Sequence, residues 1–143
     1  MIKVKLINRD YKIYSDFIEK SIHNFSSSGI VIKDSRNVIK TYESDKLVLN
    51  IKSFKIPNIF NAFIYNKIRS GKAERSYRFA QKLLNLGIYT PQPIAYFEFK
   101  TSLFLKNSYY VSEQINYDFS IREVINDSNF TDRIKILKLF SSF

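Results

Sequence analysis

The sequence predicts an α+β fold in which an antiparallel sheet packs on one long helix. Strand-like runs gather on both sides of a single long helical pattern at residues 72–86. Glycine and proline number only three each, so regular elements should dominate and special turns should be few.

Residues 1–7 alternate apolar and basic side chains, a pattern open to a short strand. Residues 16–25 place Phe17, Ile18, Ile22 and Phe25 at helical spacing, and Ser26-Ser27-Ser28-Gly29 breaks that helix. Three strand-like segments follow at 30–33, 37–42 and 47–54, separated by the polar turns 34–37 and 43–46, as in an antiparallel meander. Pro57 ends the third, and residues 59–67 carry a helical apolar pattern with Phe60, Phe63 and Tyr65. In the long helix Ala73, Tyr77, Ala80, Leu83 and Leu84 are expected on one face, with Gly87 as the C-terminal cap. Pro91 and Pro93 prevent its continuation. Two more strands are expected at 94–99 and 109–114, joined by a loop around Lys106, Asn107 and Ser108. A short helix at 120–125 has Ser120 as N-cap and Glu123 at the capping-box position. A last helix begins at Thr131, with Ile134, Leu137 and Phe140-Ser141 expected to face inward, and the sequence stops inside it.

The chain has 143 residues, 45% of them hydrophobic and 16% aromatic, which suits one domain with a real core and not a disordered segment. It has no cysteine, so disulfides and thiol chemistry are excluded. With His23 as its one histidine, a multi-histidine metal site has little to work with, and His23 is expected at the surface or in packing. No apolar run approaches a membrane span, so the cytoplasm is the expected location. The net charge of +10 favours phosphates, nucleic acid or anionic lipid headgroups as partners. The basic residues are spread along the chain, however, and AT-rich coding alone would produce such a Lys-, Asn-, Ile-, Tyr- and Phe-rich composition.

The order of elements, together with four stretches of sequence, resembles the lipopolysaccharide kinase (Kdo/WaaP-type) family. Those stretches are Ile51-Lys52-Ser53-Phe54-Lys55-Ile56-Pro57-Asn58, Lys72-Ala73-Glu74-Arg75-Ser76-Tyr77, Leu86 through Tyr96 with its Leu-Gly-Ile-x-Thr-Pro-x-Pro core, and Tyr109-Tyr110-Val111-Ser112-Glu113. The resemblance implies a protein-kinase-like small lobe: a five-stranded antiparallel sheet on one long helix, then a hinge into a helical large lobe. Residues 1–114 would form that lobe with an N-terminal extension. Residues 115–143 would form the hinge and the first helices of a truncated large lobe.

The resemblance also implies roles for residues. Lys52 matches the third-strand lysine that holds the ATP phosphates. Its helix partner should be a glutamate, for which Glu74 is the candidate. The family's usual position falls on Ser76 instead, about 200° away around a helix. Glu74 is then open to being a solvated first-turn residue that favours the helix dipole. The turn Asp34-Ser35-Arg36-Asn37 stands where a glycine-rich loop would cover nucleotide, yet contains no glycine. Glu113 and Ile115 match hinge positions whose backbone meets adenine. No His-x-Asp catalytic loop or metal-binding aspartate occurs, and Asp118-Phe119-Ser120 comes too soon after the hinge to serve as one. No catalytic or metal-ligating residue is therefore assigned.

The implied function is an N-terminal portion of a lipopolysaccharide core (Kdo or heptose) kinase, using ATP with Mg in the intact family and inactive in phosphoryl transfer alone. An inner-core glycolipid at the membrane surface is the implied acceptor. The alternatives are a non-catalytic kinase-derived binding module and a basic nucleic-acid-binding domain, which rests on charge alone.

Overall fold

The computed structural model describes residues 2–56, 71–101 and 105–142. The helical pattern expected at 59–67 lies outside them. Six strands form one antiparallel sheet in the order β1-β5-β6-β4-β3-β2. They are β1 (Ile2–Ile7), β2 (Ile30–Asp34), β3 (Val38–Ser44), β4 (Leu47–Ser53), β5 (Pro93–Lys100) and β6 (Leu105–Glu113). A 3-10 helix (Arg9–Tyr14) leads into α1 (Ser15–His23), and the long helix is α2 (Lys72–Asn85). Two short helices close the described chain, α3 (Ile121–Asn126) and α4 (Arg133–Ser141).

The strand count is six where the sequence suggested five. The N-terminal alternating segment is the sixth strand and pairs with β5 from Ile2↔Lys100 to Ile7↔Ala95. Alternation shows that a segment suits a sheet but does not say which edge receives it.

Both faces of the sheet are covered. On one face Leu49, Ile51, Phe97 and Val111 pack with Ile18, Ile22 and Phe25 in and just after α1. On the other, Ala73 and Tyr77 of α2 pack on Tyr96, with Phe54 and Tyr110 alongside. This is why β5 is buried from Pro93 through Glu98 and reads as an apolar run instead of an alternation. β4 lies beneath α1 on one face only, so Leu47, Leu49 and Ile51 are buried while Asn50 and Lys52, on the α2 face, are partly exposed.

Several local expectations change. Leu83 of α2 is exposed, because it lies about 80° from the Ala73–Tyr77–Ala80–Leu84 line at 100° per residue. Lys106, Asn107 and Ser108 belong to β6, not to a loop, and Ser108 pairs with Glu98. In α4, Ile134 and Phe140 are 69% and 59% exposed and no residue is buried, contrary to the expected inward face. His23 is exposed.

The capping signals behave as their chemistry requires. Gly87 has φ +74°; its N–H donates to the Leu84 carbonyl, and Ile88 N–H to that of Leu83, closing α2 in a Schellman turn. Ser120 and Glu123 form the capping box of α3. Gly29 has φ +88°, and a Cβ there would stand 2.5 Å from the Tyr42 ring. Gly29→Ala should therefore cost about 1–3 kcal/mol, measurable as a lowered urea midpoint.

The N-terminus of α2 has an unusual neighbour. Gly71 caps it without a side chain, and a Cβ at Gly71 would overlap the Glu98 carboxylate, which fills that space. Glu98 is fully buried, and its negative charge at the first turn of a helix is favoured by the helix dipole. Lys100 Nζ lies 2.8 Å from Glu98 Oε2, but among the described residues neither carboxylate oxygen has a partner in hydrogen-bond geometry.

Candidate functional site

A cleft of about 500 Å³ opens at the end of the sheet where β4 and β6 meet the chain leaving β6. Ile32 and Lys33 of β2 and Ile39 of β3 form one wall. Asn50 of β4 and Ser112 of β6 form the polar floor, and Glu113, Gln114, Ile115, Tyr117 and Pro91 close the far side. A larger open groove of about 750 Å³ lies along α4 and the loop before it, lined by Ser128, Phe130 and Leu139 among others, and no sheet residue lines it.

The 113–115 segment is held from several directions. Glu113 N–H donates to the Gln92 carbonyl and Gln114 N–H to that of Val48, at 3.0 and 2.9 Å. Asn50 Nδ2 donates to Gln114 Oε1 at 2.7 Å, and Gln114 Nε2 donates to the Ile115 carbonyl at 2.9 Å. Tyr11 Oη, from the 3-10 helix, donates to Glu113 Oε1 at 2.5 Å. Burial, then the hydrogen bond to Glu113, pushes the Tyr11 phenol far above its ordinary range. None of these bonds uses the Ile115 N–H, which faces no hydrogen-bond acceptor among the described residues.

Lys52 lies on the same sheet face as Asn50, two residues further along β4 and so about 7 Å beyond it. It is not part of the cleft wall. Its cross-strand neighbours are Ile39 and Tyr110, and its Nζ lies over the Phe54 ring, 5.1 Å from the centroid. Glu74 bonds Arg78, one helical turn along, at 2.8 Å. No ion pair joins Lys52 to Glu74, and Tyr110 and Tyr96 pack on the α2 face beside Lys52. The sequence reading places Glu113 and Ile115 together at the cleft, whereas Lys52 and Glu74 stay apart. Gln114 was part of the hinge stretch 113–115 read from the sequence, but its side-chain bonds were not foreseen, and Asn50 and Tyr11 were given no role. Asn50 carried a signal by sharing the face of Lys52 under strand alternation; Tyr11 carried none.

The turn at 34–37 is exposed and tied down by Asn37, whose Oδ1 accepts from Lys55 N–H at 3.2 Å. Asp118 is exposed, Phe119 packs edge-on against Phe130 at 5.0 Å, and Ser120 caps α3. Those three residues thus serve the α3 entry. Among the described residues no group of three His, Cys, Asp or Glu side chains could hold a metal ion.

Tyr110 separates Lys52 from Tyr96 across the sheet, and burial pushes its phenol up to about 12 from an ordinary 10.0. The folded chain thus keeps a proton that the unfolded chain releases. The stability tied to it is complete below pH 10 and falls as pH rises toward about 12. Urea unfolding between pH 8 and 11 should show a flat region followed by a decline, which Tyr110→Phe makes shallower.

No protein-family model matches the chain, and no curated protein matches it. A solved structure, WaaP in complex with acyl carrier protein, shares the fold with a TM-score of 0.51 at 15% identity. The match covers 89% of this chain and 46% of that chain, so the sequence spans less than half of its structural neighbour. At that identity the likeness is one of fold: an α+β unit with a six-stranded antiparallel sheet, compatible with a kinase-like small lobe. Among the described residues no helix is long and apolar enough to cross a membrane.

Proposed function

We propose that this chain is a kinase-like nucleotide-binding lobe, related to the lipopolysaccharide core kinases, that holds ATP in the cleft beneath β2 and β3. The observation that carries this reading is the cleft itself. It combines apolar walls (Ile32, Ile39, Ile115) with a polar floor and a backbone edge at 113–115, a lining suited to a flat heterocycle. The fold shared with WaaP supports the reading. The heterocycle would lie against the 113–115 hinge backbone. Phosphates would run toward Lys33, in the wall, and Lys52, about 7 Å past Asn50. Glu74 is the candidate partner of Lys52 on α2, and in this structure it bonds Arg78.

The residues fit the nucleotide better than they fit its metal, for which the described residues offer no cluster of ligands. In the intact family ATP supplies the transferred phosphoryl group to a sugar hydroxyl of the lipopolysaccharide inner core. Such a role would place the protein in the cytoplasm, peripheral to the inner membrane, where its +10 charge suits an anionic glycolipid. The purified chain alone is expected to bind ATP without transferring phosphate. ATP-dependent phosphorylation of a Kdo-containing acceptor would overturn the second half of that statement.

The test is calorimetric titration of the wild type and Lys52→Ala with ATP. Binding weakened tenfold or more in Lys52→Ala, about 1.4 kcal/mol, supports the assignment. Equal affinity in both removes Lys52 from the site. A second reading, a non-catalytic module that docks a partner, is favoured by the exposed Tyr117, Ile125, Ile134, Leu139 and Phe140. It expects a monodisperse chain that melts cooperatively and does not bind ATP.

A further inference from the structure

We infer that the N-terminal segment is a strut that presets the hinge, with Tyr11 as the positioning residue; as a statement about ligand binding this rests on the nucleotide reading above. Tyr11 and Glu113 are 102 residues apart in sequence, yet the phenol donates to Glu113 Oε1 at 2.5 Å, with both residues half-buried. The 3-10 helix that carries Tyr11 is itself anchored on the strand entering the cleft. Asn8 N–H donates to the Ile94 carbonyl at 2.7 Å, and Asn8 Nδ2 to the Pro93 carbonyl at 3.3 Å.

Geometry makes this contact more than general packing. Glu113 is the last residue of β6 and lines the cleft, so a bond to its side chain fixes where the strand ends and the hinge begins. Asn50 holds the next residue, Gln114, from inside the sheet. The two bonds grip consecutive residues, one from the N-terminal segment and one from β4. Ordering this backbone before a ligand arrives reduces what binding must spend on ordering it. The phenol remains a donor at neutral pH because burial and the facing carboxylate both oppose its ionisation.

The experiment compares amide hydrogen exchange and ATP affinity in the wild type, Tyr11→Phe, Glu113→Gln and Glu113→Ala. The Glu113 and Gln114 amides are the reporters, since both are hydrogen-bonded, and the Ile51 amide in the core tracks global opening. In Tyr11→Phe, exchange at Glu113 and Gln114 should quicken at least fivefold relative to Ile51, with ATP affinity weakened about 5- to 20-fold. Glu113→Gln keeps an acceptor oxygen but not its charge, so exchange at Glu113 and Gln114 should quicken less than in Tyr11→Phe, while Glu113→Ala should match Tyr11→Phe. Exchange at 113 and 114 that changes only in step with Ile51 overturns the strut. Faster local exchange in a protein whose wild type does not bind ATP upholds the strut and rejects the nucleotide reading.

Discussion

Phe97→Ala is expected to cost about 3–5 kcal/mol, a large share of the roughly 5–15 kcal/mol that holds a domain of this size folded. Phe97 is fully buried on β5, among Ile18, Leu49, Ile51 and Val111, where strand and α1 side chains interdigitate. Lys3 also places its amine 5.3 Å from the Phe97 ring centroid. Truncation removes contacts on both the sheet side and the α1 side, and neither can collapse into the gap without moving a strand. Phe97→Leu, which keeps most of the volume, should cost less than about 1.5 kcal/mol. Urea unfolding followed by circular dichroism checks both: the midpoint should fall in that order while the slope stays constant. A drop below about 1 kcal/mol for Phe97→Ala would mean that α1 does not pack on the sheet as described.

Lys100→Met should cost about 3 kcal/mol, far more than the 0–1 kcal/mol of an exposed ion pair. The difference comes from Glu98. Its side chain is fully buried against Gly71, neither oxygen has an aligned hydrogen bond among the described residues, and the Lys100 amine is the cation that meets it. Removing the amine leaves an uncompensated buried carboxylate. The expected cost lies at the low end for such a change because the Lys100 side chain is itself 25% exposed. Adding Glu98→Gln to Lys100→Met should recover stability, because the neutral amide removes the stranded charge. A double-mutant cycle measured by urea unfolding isolates the coupling. If Lys100→Met is neutral, Glu98 is compensated by another group.

Much of this fold was legible in the sequence, for identifiable reasons. The spacing of Ala73, Tyr77 and Ala80, the Gly87 cap and the Ser120–Glu123 box are local signals, and local physics decides them. The strands at 30–54 announced themselves by alternation and polar turns. Pairing was not legible. Nothing in residues 2–7 says that they lie against β5, and nothing in Lys106-Asn107-Ser108 distinguishes a polar strand end from a loop. The candidate site was only half legible for the same reason. Glu113 and Ile115 could be placed by order along the chain. That Glu74 bonds Arg78 while Lys52 lies over Phe54 depends on how α2 and β4 are placed, a tertiary fact. Tyr11 reaches the cleft only because β1 and the 3-10 helix bring the N-terminus beside Pro93. Glu98 looks like one polar residue among aromatics until the close approach of Gly71 shows what surrounds it.

If the cleft at the end of β4 and β6 holds a nucleotide, amide chemical-shift changes during an ATP titration will map to it. The expected result is saturable shifts at Ile32, Ile39, Asn50, Lys52 and 113–117, weakened in Lys52→Ala. Shifts confined to the exposed face of α2 or to the groove along α4, or none at millimolar ATP, would contradict that placement.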